Sequence, residues 1–441
     1  MTPHAFAQSV EIVTTVLAVA GMGYFLAALV AAWAYLAARR APLQAFAPGV
    51  SILKSLKGLD PGMIDAFRSH CRQSYAGEFE LIFGVSSLAD PAVEAVEELQ
   101  REFPERSIRL IECPERLGTN GKVGTLVQLI PHARHDYLLI NDSDITVSPR
   151  YLERVMGCFA PVAVPSVAPS GAKSPADSVG LMRGVKFHPS EQKSLAGDPG
   201  NPPPPSEASS SAQEVGLVTA LYRGRAHGTL ASRLEALGIA TEFQPSVLLS
   251  RIVEGGLRYG LGSTLAVSRE ALDRIGGLEP LVNHLADDYE LGVRVSQAGY
   301  RVALSPEVVE TAIPAYSWRG FADHQLRWAR TVRDARPWGY AGLIVTHGLV
   351  WAVVNVVASG LSPLSLALLG LSFLLRLALA MTVGAGVLGD HAVLPSLWLL
   401  PLRDLAAMGV WVAGFAGNTV VWRGQRFLLK DGKLYPAEHP E

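Results

Sequence analysis

Apolar residues are concentrated first in a run from residue 13 to residue 38, which is almost purely hydrophobic and is followed by Arg39 and Arg40. The run is longer than the core of a signal peptide, and no small-residue cleavage site follows it. It therefore predicts an uncleaved transmembrane helix within an anchor region, residues 1–47. The two arginines favour a cytoplasmic location for the chain that follows.

Short apolar runs then alternate with amphipathic stretches through residues 48–316. The runs at 50–53, 80–85, 108–111 and 137–140 predict strands. Residues 91–101 predict a helix, with Asp90 as its cap and Pro91 in its first position. Strands that alternate with helices predict an α/β domain whose largely parallel sheet is covered by helices.

Residues 166–213 interrupt this domain with a low-complexity composition that includes four prolines from Pro202 and three serines from Ser209. Such a segment lacks the apolar content that would offset the entropy of ordering it. We predict a disordered or poorly ordered insertion, with a regulatory or docking loop as the alternative.

The last third of the chain is again hydrophobic. Residues 317–338 are rich in arginine and tryptophan, which suits an amphipathic helix at the lipid headgroups. Residues 339–422 predict three membrane segments, and residues 423–441 form a basic tail predicted to be cytoplasmic.

The third of these segments conflicts with that topology. If the tail and the domain share one side of the membrane, the number of crossings between them must be even. Pro401, Arg403 and Asp404 interrupt the third segment, and charged groups are costly in lipid unless they are paired or face protein. The segment is therefore predicted to be re-entrant or to lie at the interface.

Composition narrows the class of protein. Apolar residues make up 49% of the 441 residues, and the formal net charge of -2 gives no indication of a nucleic-acid partner. The three cysteines fit no zinc-site spacing, and their odd number argues against a disulfide framework. A reducing compartment is predicted for the middle of the chain.

The strongest chemical pattern is the strand at 137–140, which runs into Asp142 and Asp144. Ligands of open α/β sheets bind beyond the carboxyl ends of the strands. Two carboxylates there can hold Mg2+ or Mn2+, which bridges the phosphates of a nucleotide sugar and stabilises the departing diphosphate. A solvated turn that caps the next helix is the alternative.

A second acidic pattern, Asp287-Asp288-Tyr289, opens an apparent helix that ends near Ala298. The helix dipole favours acids in a first turn, which is the structural explanation. The catalytic explanation makes Asp288 the general base that removes the proton of an acceptor hydroxyl in an inverting transfer.

Three weaker patterns have structural alternatives of the same kind. Asp90 follows a predicted strand and can bind a nucleoside or only cap a helix. Lys122 lies in a loop and can neutralise phosphate or be an ordinary surface lysine. Arg327 and Trp328 can grip a diphosphate and stack on an acceptor, although membrane anchoring explains the same residue types.

The order of these patterns resembles the ceramide glucosyltransferase family, glycosyltransferase family 21, in the wider group that includes cellulose and hyaluronan synthases. Residues 50–60 look like its first strand and loop, and residues 422–426 look like its C-terminal segment. His324 departs from the pattern, since the family usually has Gln or Arg there. The motif residues that match are Asp90, Asn120, Lys122, Asp142, Asp144, Asp288, Arg327 and Trp328.

The resemblance implies a GT-A-type nucleotide-sugar-binding domain with N- and C-terminal transmembrane helices. It implies that Asp288 is the base and that Asp142 and Asp144 hold a divalent cation, Mg2+ or Mn2+. The donor-binding residues that it implies are Asp90, Asn120, Lys122, Asp142, Arg327 and Trp328.

The expected activity is transfer of N-acetylglucosamine or glucose from a UDP-sugar to a lipid at the bacterial inner membrane. The chain looks closest to hopanoid-associated members, which are implied to modify bacteriohopanetetrol; ceramide is the alternative acceptor. A processive polysaccharide synthase is disfavoured because few membrane segments remain to build a pore. An inactive membrane scaffold is disfavoured because all three acidic elements are present together.

Overall fold

The computed structural model describes residues 3–161, 213–422 and 424–437, so the predicted insertion lies, except for Gln213, outside the described residues. The strands are β1 Val50–Ser55, β2 Phe79–Val85, β3 Ser107–Glu112, β4 Tyr137–Ile140, β5 Ile145–Thr146, β6 Val215–Ala226, β7 Leu265–Ser268, β8 Arg301–Ile313, β9 Thr419–Trp422, β10 Gln425–Lys430 and β11 Lys433–Pro436. The α-helices are α1 Pro3–Ala38, α2 Met63–Cys71, α3 Ala92–Glu102, α4 Gly121–Leu129, α5 Tyr151–Met156, α6 Leu230–Gly238, α7 Gln244–Val253, α8 Arg269–Arg274, α9 Asp287–Gln297, α10 Trp318–Ala335, α11 Pro337–Gly342, α12 Gly348–Ala358, α13 Pro363–Ala380 and α14 Leu400–Gly414.

The main sheet has the strand order β3-β2-β1-β4-β7-β6-β8-β5. Strands β1 to β4 are the four predicted strands and pair in parallel, as predicted. The other half of the sheet is mixed, because β7 pairs antiparallel with both β4 and β6 while β6 and β8 are parallel. The parallel half therefore delivers the carboxyl ends of β1, β2, β3 and β4 to one edge.

Successive residues of β1 point to opposite faces of the sheet and belong to two different hydrophobic cores. Ile52 packs on one face of the sheet with Phe67 and Phe83, whereas Leu53 packs on the other face with Leu126 and Leu138. Burial on both faces explains why the sequence of this strand is a nearly continuous apolar run, which is typical of a parallel sheet between two helical layers.

Four helical stretches of the described chain are long and apolar enough to cross a membrane: Ala7–Ala38, Pro337–Ala358, Pro363–Val387 and His391–Gly414. The first two pack closely, since a Cβ atom on Gly21 would come 2.2 Å from the Cα atom of Gly348. Such small residues let two helix backbones approach each other in lipid.

Helix α10 corresponds to the helix predicted for the lipid headgroups, but two of its arginines, and Arg336 just after its end, contact protein. Arg333 donates to the Gly414 carbonyl at 2.5 Å, and Arg330 binds carbonyl groups beyond the same helix end. Arg336 pairs with Glu254 at 2.6 Å. These guanidinium groups therefore attach α10 to its protein neighbours.

The basic tail folds back onto the α/β domain. Strands β9, β10 and β11 form an antiparallel sheet, in which β10 is central. Its last strand reaches the loop before α9, where the Leu434 amide donates to the Asn283 carbonyl at 2.8 Å. This contact places the end of the chain beside the second acidic motif.

Candidate active site

The site is built where the parallel strands end. Asp142 follows β4 directly, and Lys122 lies in the first turn of α4, which follows β3. The Lys122 Nζ atom is 2.8 Å from Asp142 Oδ1 and 3.4 Å from Asp287 Oδ2. The lysine therefore joins the two acidic motifs, which are far apart in sequence. Although burial opposes it, the carboxylates of Asp142 and Asp287 raise the pKa of Lys122.

Asp144 lies two residues beyond Asp142 and is half-buried. It accepts a hydrogen bond from the Thr311 hydroxyl at 2.5 Å. Burial, together with the nearby charge of Asp142, raises the pKa of Asp144 to about 6. Two carboxylates that repel each other in this way form an oxygen donor set that suits Mg2+ or Mn2+.

A metal ion at this site would need ligands from the substrate as well as from the protein. Across residues 3–161, 213–422 and 424–437, no group of three or more His, Cys, Asp or Glu side chains is placed to hold a metal ion. Two carboxylates, Asp142 and Asp144, nevertheless suffice where the phosphates of the substrate complete the coordination shell.

A buried lysine is hydrogen-bonded to the chain that carries Asp142 and Asp144. Lys54, on β1, is 1% exposed, and its Nζ atom lies 2.6 Å from Asn141 Oδ1 and 3.0 Å from the Asp142 carbonyl oxygen. The side-chain nitrogen of Asn141, Nδ2, in turn donates to His70 Nε2 at 2.9 Å. Burial lowers the pKa of Lys54 to about 7, against the opposing charges of Asp144 and Asp142. This chain of hydrogen bonds orients the peptide that carries Asp142.

Asp288 occupies the first turn of α9 and is half-buried. Its Oδ2 atom accepts a hydrogen bond from the Gly262 amide at 2.7 Å, and its Oδ1 atom accepts one from the Tyr289 amide at 2.8 Å. Burial and the neighbouring charge of Asp287 raise the pKa of Asp288 to about 6, although Lys122 acts in the opposite direction. A carboxylate with such a pKa is well matched to proton removal near neutral pH.

Asp90 and Asn120 are engaged by the protein itself. Asp90 accepts hydrogen bonds from the Gly58 and Ala92 amides, both at 2.9 Å, so it performs the capping role considered from the sequence. Asn120 is fully buried; its oxygen accepts from the Val123 amide and its nitrogen donates to the His284 carbonyl at 2.8 Å. Their donor-binding roles stay predictions of the family resemblance.

The motif at 324–328 lies on α10 against α6 and the helical turn Ile239–Phe243 that follows it. His324 Nδ1 is 2.8 Å from Glu235 Oε1, and the His324 ring stacks on Tyr316 at a centroid distance of 5.4 Å. Trp328 packs on Phe243 at 5.7 Å. The residue that departs from the family pattern thus has its own partner, a carboxylate that is only 3% exposed.

Sequence reasoning missed several members of the site. Lys54 carried a signal, since a lysine inside an apolar strand must find a buried partner. Asp60, which accepts a hydrogen bond from Ser143, and Glu235 carried none, because their partners are distant in sequence.

Comparison with known proteins identifies both the family and the fold that this chain resembles. A family model described as Glycosyl transferase family 21 matches residues 13–173 and 207–435. Ceramide glucosyltransferase 3 of Caenorhabditis elegans is 23% identical over 406 residues, which are 89% of this chain and 75% of the relative. Ceramide glucosyltransferase 1 of the same organism is 21% identical over 396 residues, or 87% and 72% of the two chains.

Among solved structures, a mannosyltransferase from Pyrobaculum calidifontis in complex with GDP-Man and Mn2+ is similar, with a TM-score of 0.50 and 17% identity. The match covers 92% of this chain and 97% of the mannosyltransferase. This likeness confirms the GT-A-type α/β fold expected from the sequence.

Proposed function

The chain belongs to glycosyltransferase family 21, and it has four helical stretches long and apolar enough to cross a membrane. From this premise we propose that it transfers a hexose from a UDP-sugar to a lipid hydroxyl with inversion at the anomeric carbon. The hexose is N-acetylglucosamine or glucose. The acceptor is a hopanoid such as bacteriohopanetetrol, or else ceramide. The names of the C. elegans relatives, which are ceramide glucosyltransferases, support a lipid acceptor.

The donor diphosphate is assigned to the cluster around Asp142, Asp144 and Lys122. The two carboxylates would hold Mg2+ or Mn2+, which as a Lewis acid stabilises the negative charge of the departing diphosphate. Lys122 supplies a further positive charge at the same place, since its Nζ atom is within 2.8 Å of Asp142. Asp90, Arg327 and Trp328 are assigned to the donor by the resemblance of their motifs.

Asp288 is assigned the role of general base. Its Oδ2 atom is oriented by the Gly262 amide at 2.7 Å, and the site leaves the side chain only half-buried. As the acceptor hydroxyl attacks the anomeric carbon and the bond to the diphosphate breaks, the proton passes from that hydroxyl to the Asp288 carboxylate.

One observation supports the proposal: Lys122 contacts both Asp142 and Asp287, the residue next to Asp288, so the first and second acidic motifs lie together. The test is transfer from radiolabelled UDP-glucose and UDP-N-acetylglucosamine, with bacteriohopanetetrol and ceramide offered separately to membranes. A labelled lipid that disappears in Asp288→Asn but persists in the exposed control Asp65→Asn is expected. A polymeric product would favour a processive polysaccharide synthase. If no product forms and UDP does not bind, the inactive membrane scaffold would be the remaining hypothesis.

The contacts of the apolar segments support a membrane arrangement with three crossings. Helix α12 runs antiparallel to α1, because Gly348 meets Gly21 whereas Asn355, further along, donates to Thr15 at 2.7 Å. The chain then returns along α13, since Arg39 at the end of α1 donates to the Val387 carbonyl at 2.9 Å.

The fourth apolar stretch, His391–Gly414, starts and ends beside the α/β domain. Arg223 of β6 donates to the Gly389 carbonyl at 3.1 Å just before it, and Arg333 of α10 binds Gly414 at its end. In its middle, Arg403 pairs with Glu242 at 2.9 Å. We propose that this stretch lies along the membrane surface, so that the domain and the C-terminal sheet share the cytoplasmic side.

Labelling of single-cysteine variants with a membrane-impermeant maleimide tests this arrangement. His391→Cys and Thr419→Cys bracket the fourth stretch, and Leu361→Cys marks the turn between α12 and α13. The first two should react from the same side and the third from the opposite side. Reaction of His391→Cys and Thr419→Cys from opposite sides would show that the stretch crosses.

A further inference from the structure

The loop before the catalytic helix, residues 282–286, is held like a strand between two neighbours. We call it the strap. On one side, the Asn120 amide donates to the Val282 carbonyl at 2.8 Å, and the Asn120 side chain donates to the His284 carbonyl at 2.8 Å. The strap runs directly into α9, whose first two residues are Asp287 and Asp288.

On its other side, the strap pairs with the C-terminal sheet. The Leu434 amide donates to the Asn283 carbonyl at 2.8 Å, and the Leu285 amide donates to the Gly432 carbonyl at 3.0 Å. The strap has no other backbone partner on this side among the described residues. Without the sheet, these two groups would lose their partners.

Apolar contacts reinforce this pairing. The strap residue Leu285 packs on a small core inside the C-terminal sheet, whose buried members are Val420, Phe427, Leu429 and Leu434. Removal of each such side chain from water contributes about 2 kcal/mol. The sheet is therefore a folded unit that can hold the strap, rather than a loose tail.

The turn between β10 and β11 also reaches α10. Asp431 and Gly432 have φ values of 52° and 74°, as a tight two-residue hairpin requires. The Gly432 amide donates to Asp334 Oδ2 on α10, while its carbonyl accepts from Leu285. One residue thus connects α10 to the strap, and a Cβ atom there would lie 3.2 Å from His284 Nδ1.

We propose that the C-terminal sheet is a positioning element of the active site. It holds the strap so that Asp288 stays hydrogen-bonded to Gly262 and the strap stays hydrogen-bonded to Asn120. The inference rests on the proposed role of Asp288. The sheet touches no reacting atom; it acts through the strap. A displacement of about 1 Å at a catalytic group can cost about a hundredfold in rate.

Gly432→Ala is the test, and Gly424→Ala is its matched control. Gly424 also has a positive φ, 78°, in the neighbouring hairpin of the same sheet, but a Cβ atom there meets nothing within 4 Å. Both variants suffer the same kind of backbone strain. Only Gly432→Ala should displace the strap, because its Cβ atom would contact His284. It should lower kcat and raise the donor KM, together by about ten- to a hundredfold in kcat/KM relative to Gly424→Ala.

Partial unfolding alone would lower the apparent kcat of both variants without changing KM, and that result would overturn the proposal. Hydrogen–deuterium exchange of the peptide spanning residues 282–291 supplies a readout that needs no transfer. Faster exchange there in Gly432→Ala than in Gly424→Ala is expected, and equal exchange would also overturn it. A wild-type protein that transfers no sugar would refute the proposed function, while the exchange comparison would still report on the strap.

Discussion

Buried charges occur in two regions of this molecule, and the two regions are built differently. Between the apolar helices α13 and α14, Arg376 is 3% exposed and binds both carboxylate oxygens of Asp404, at 2.6 Å and 2.9 Å, and also the Thr241 carbonyl at 2.8 Å. In the acidic cluster, burial raises the pKa values of Asp144 and Asp288 to about 6, helped by the charge of Asp142 on the first and of Asp287 on the second.

The difference separates a structural charge from a functional one. A buried ion pair whose hydrogen bonds are satisfied is costly to break, because the remaining partner would be left unpaired. Carboxylates that repel each other are held in place by the rest of the fold and gain when a cation or a proton arrives. The first region therefore stabilises the fold, and we expect the second to bind ligands.

The largest expected effect comes from removing a charge in the acidic cluster. Asp144→Asn should lower kcat at least about a hundredfold, because a bound cation supplies several kcal/mol of charge stabilisation. It should not lower thermal stability at pH 7.5. The folded-state pKa of Asp144 is raised from 3.8 to about 6, so its ionised form opposes folding above that pH. A clear drop in Tm would contradict the contrast with Arg376.

For the ion pair between α13 and α14 we expect the opposite result, a loss of stability without a loss of turnover. Arg376→Met should reduce stability by about 3 to 5 kcal/mol, because it leaves Asp404 buried without a partner. Thermal unfolding in detergent measures the loss, and the double variant Arg376→Met/Asp404→Leu should recover most of it. Turnover per folded molecule should stay close to wild type; a loss as large as that of Asp144→Asn would remove the distinction.

The pH dependence of transfer sharpens the comparison further. Because the base must be ionised and the pKa of Asp288 is raised to about 6, kcat/KM should fall about tenfold per pH unit below pH 6. Steady-state rates between pH 5 and pH 8 on wild-type membranes check this. A kcat/KM that stays constant down to pH 5 would mean that Asp288 is not the base.

The smallest expected effect is on cation binding. Mn2+ should raise Tm at pH 7.5 more than at pH 5, since protonation of Asp144 competes with the cation. Thermal unfolding with and without Mn2+ at both pH values measures it, with Asp144→Asn as the control that should show little shift. An equal shift at both pH values would place the cation elsewhere.

The sequence by itself determined the strands of the parallel half, the acidic motifs at their ends and the apolar segments. These are local properties: the apolar run at 137–140 becomes β4 because it is buried on both sides, and Asp142 follows it in the chain. The family resemblance added the expectation that Asp288 is the base, and the helix that carries it begins at Asp287, as the sequence predicts.

Only the tertiary structure decided which of these residues meet. The contact of Lys122 with both Asp142 and Asp287, and the pair of His324 with Glu235, join residues far apart in the chain. From the sequence, residues 423–441 are predicted only as a basic cytoplasmic tail, yet β11 pairs with the strap at Asn283. Backbone pairing between distant segments depends on register and on the shape of the whole fold, and residue types alone carry almost no record of it.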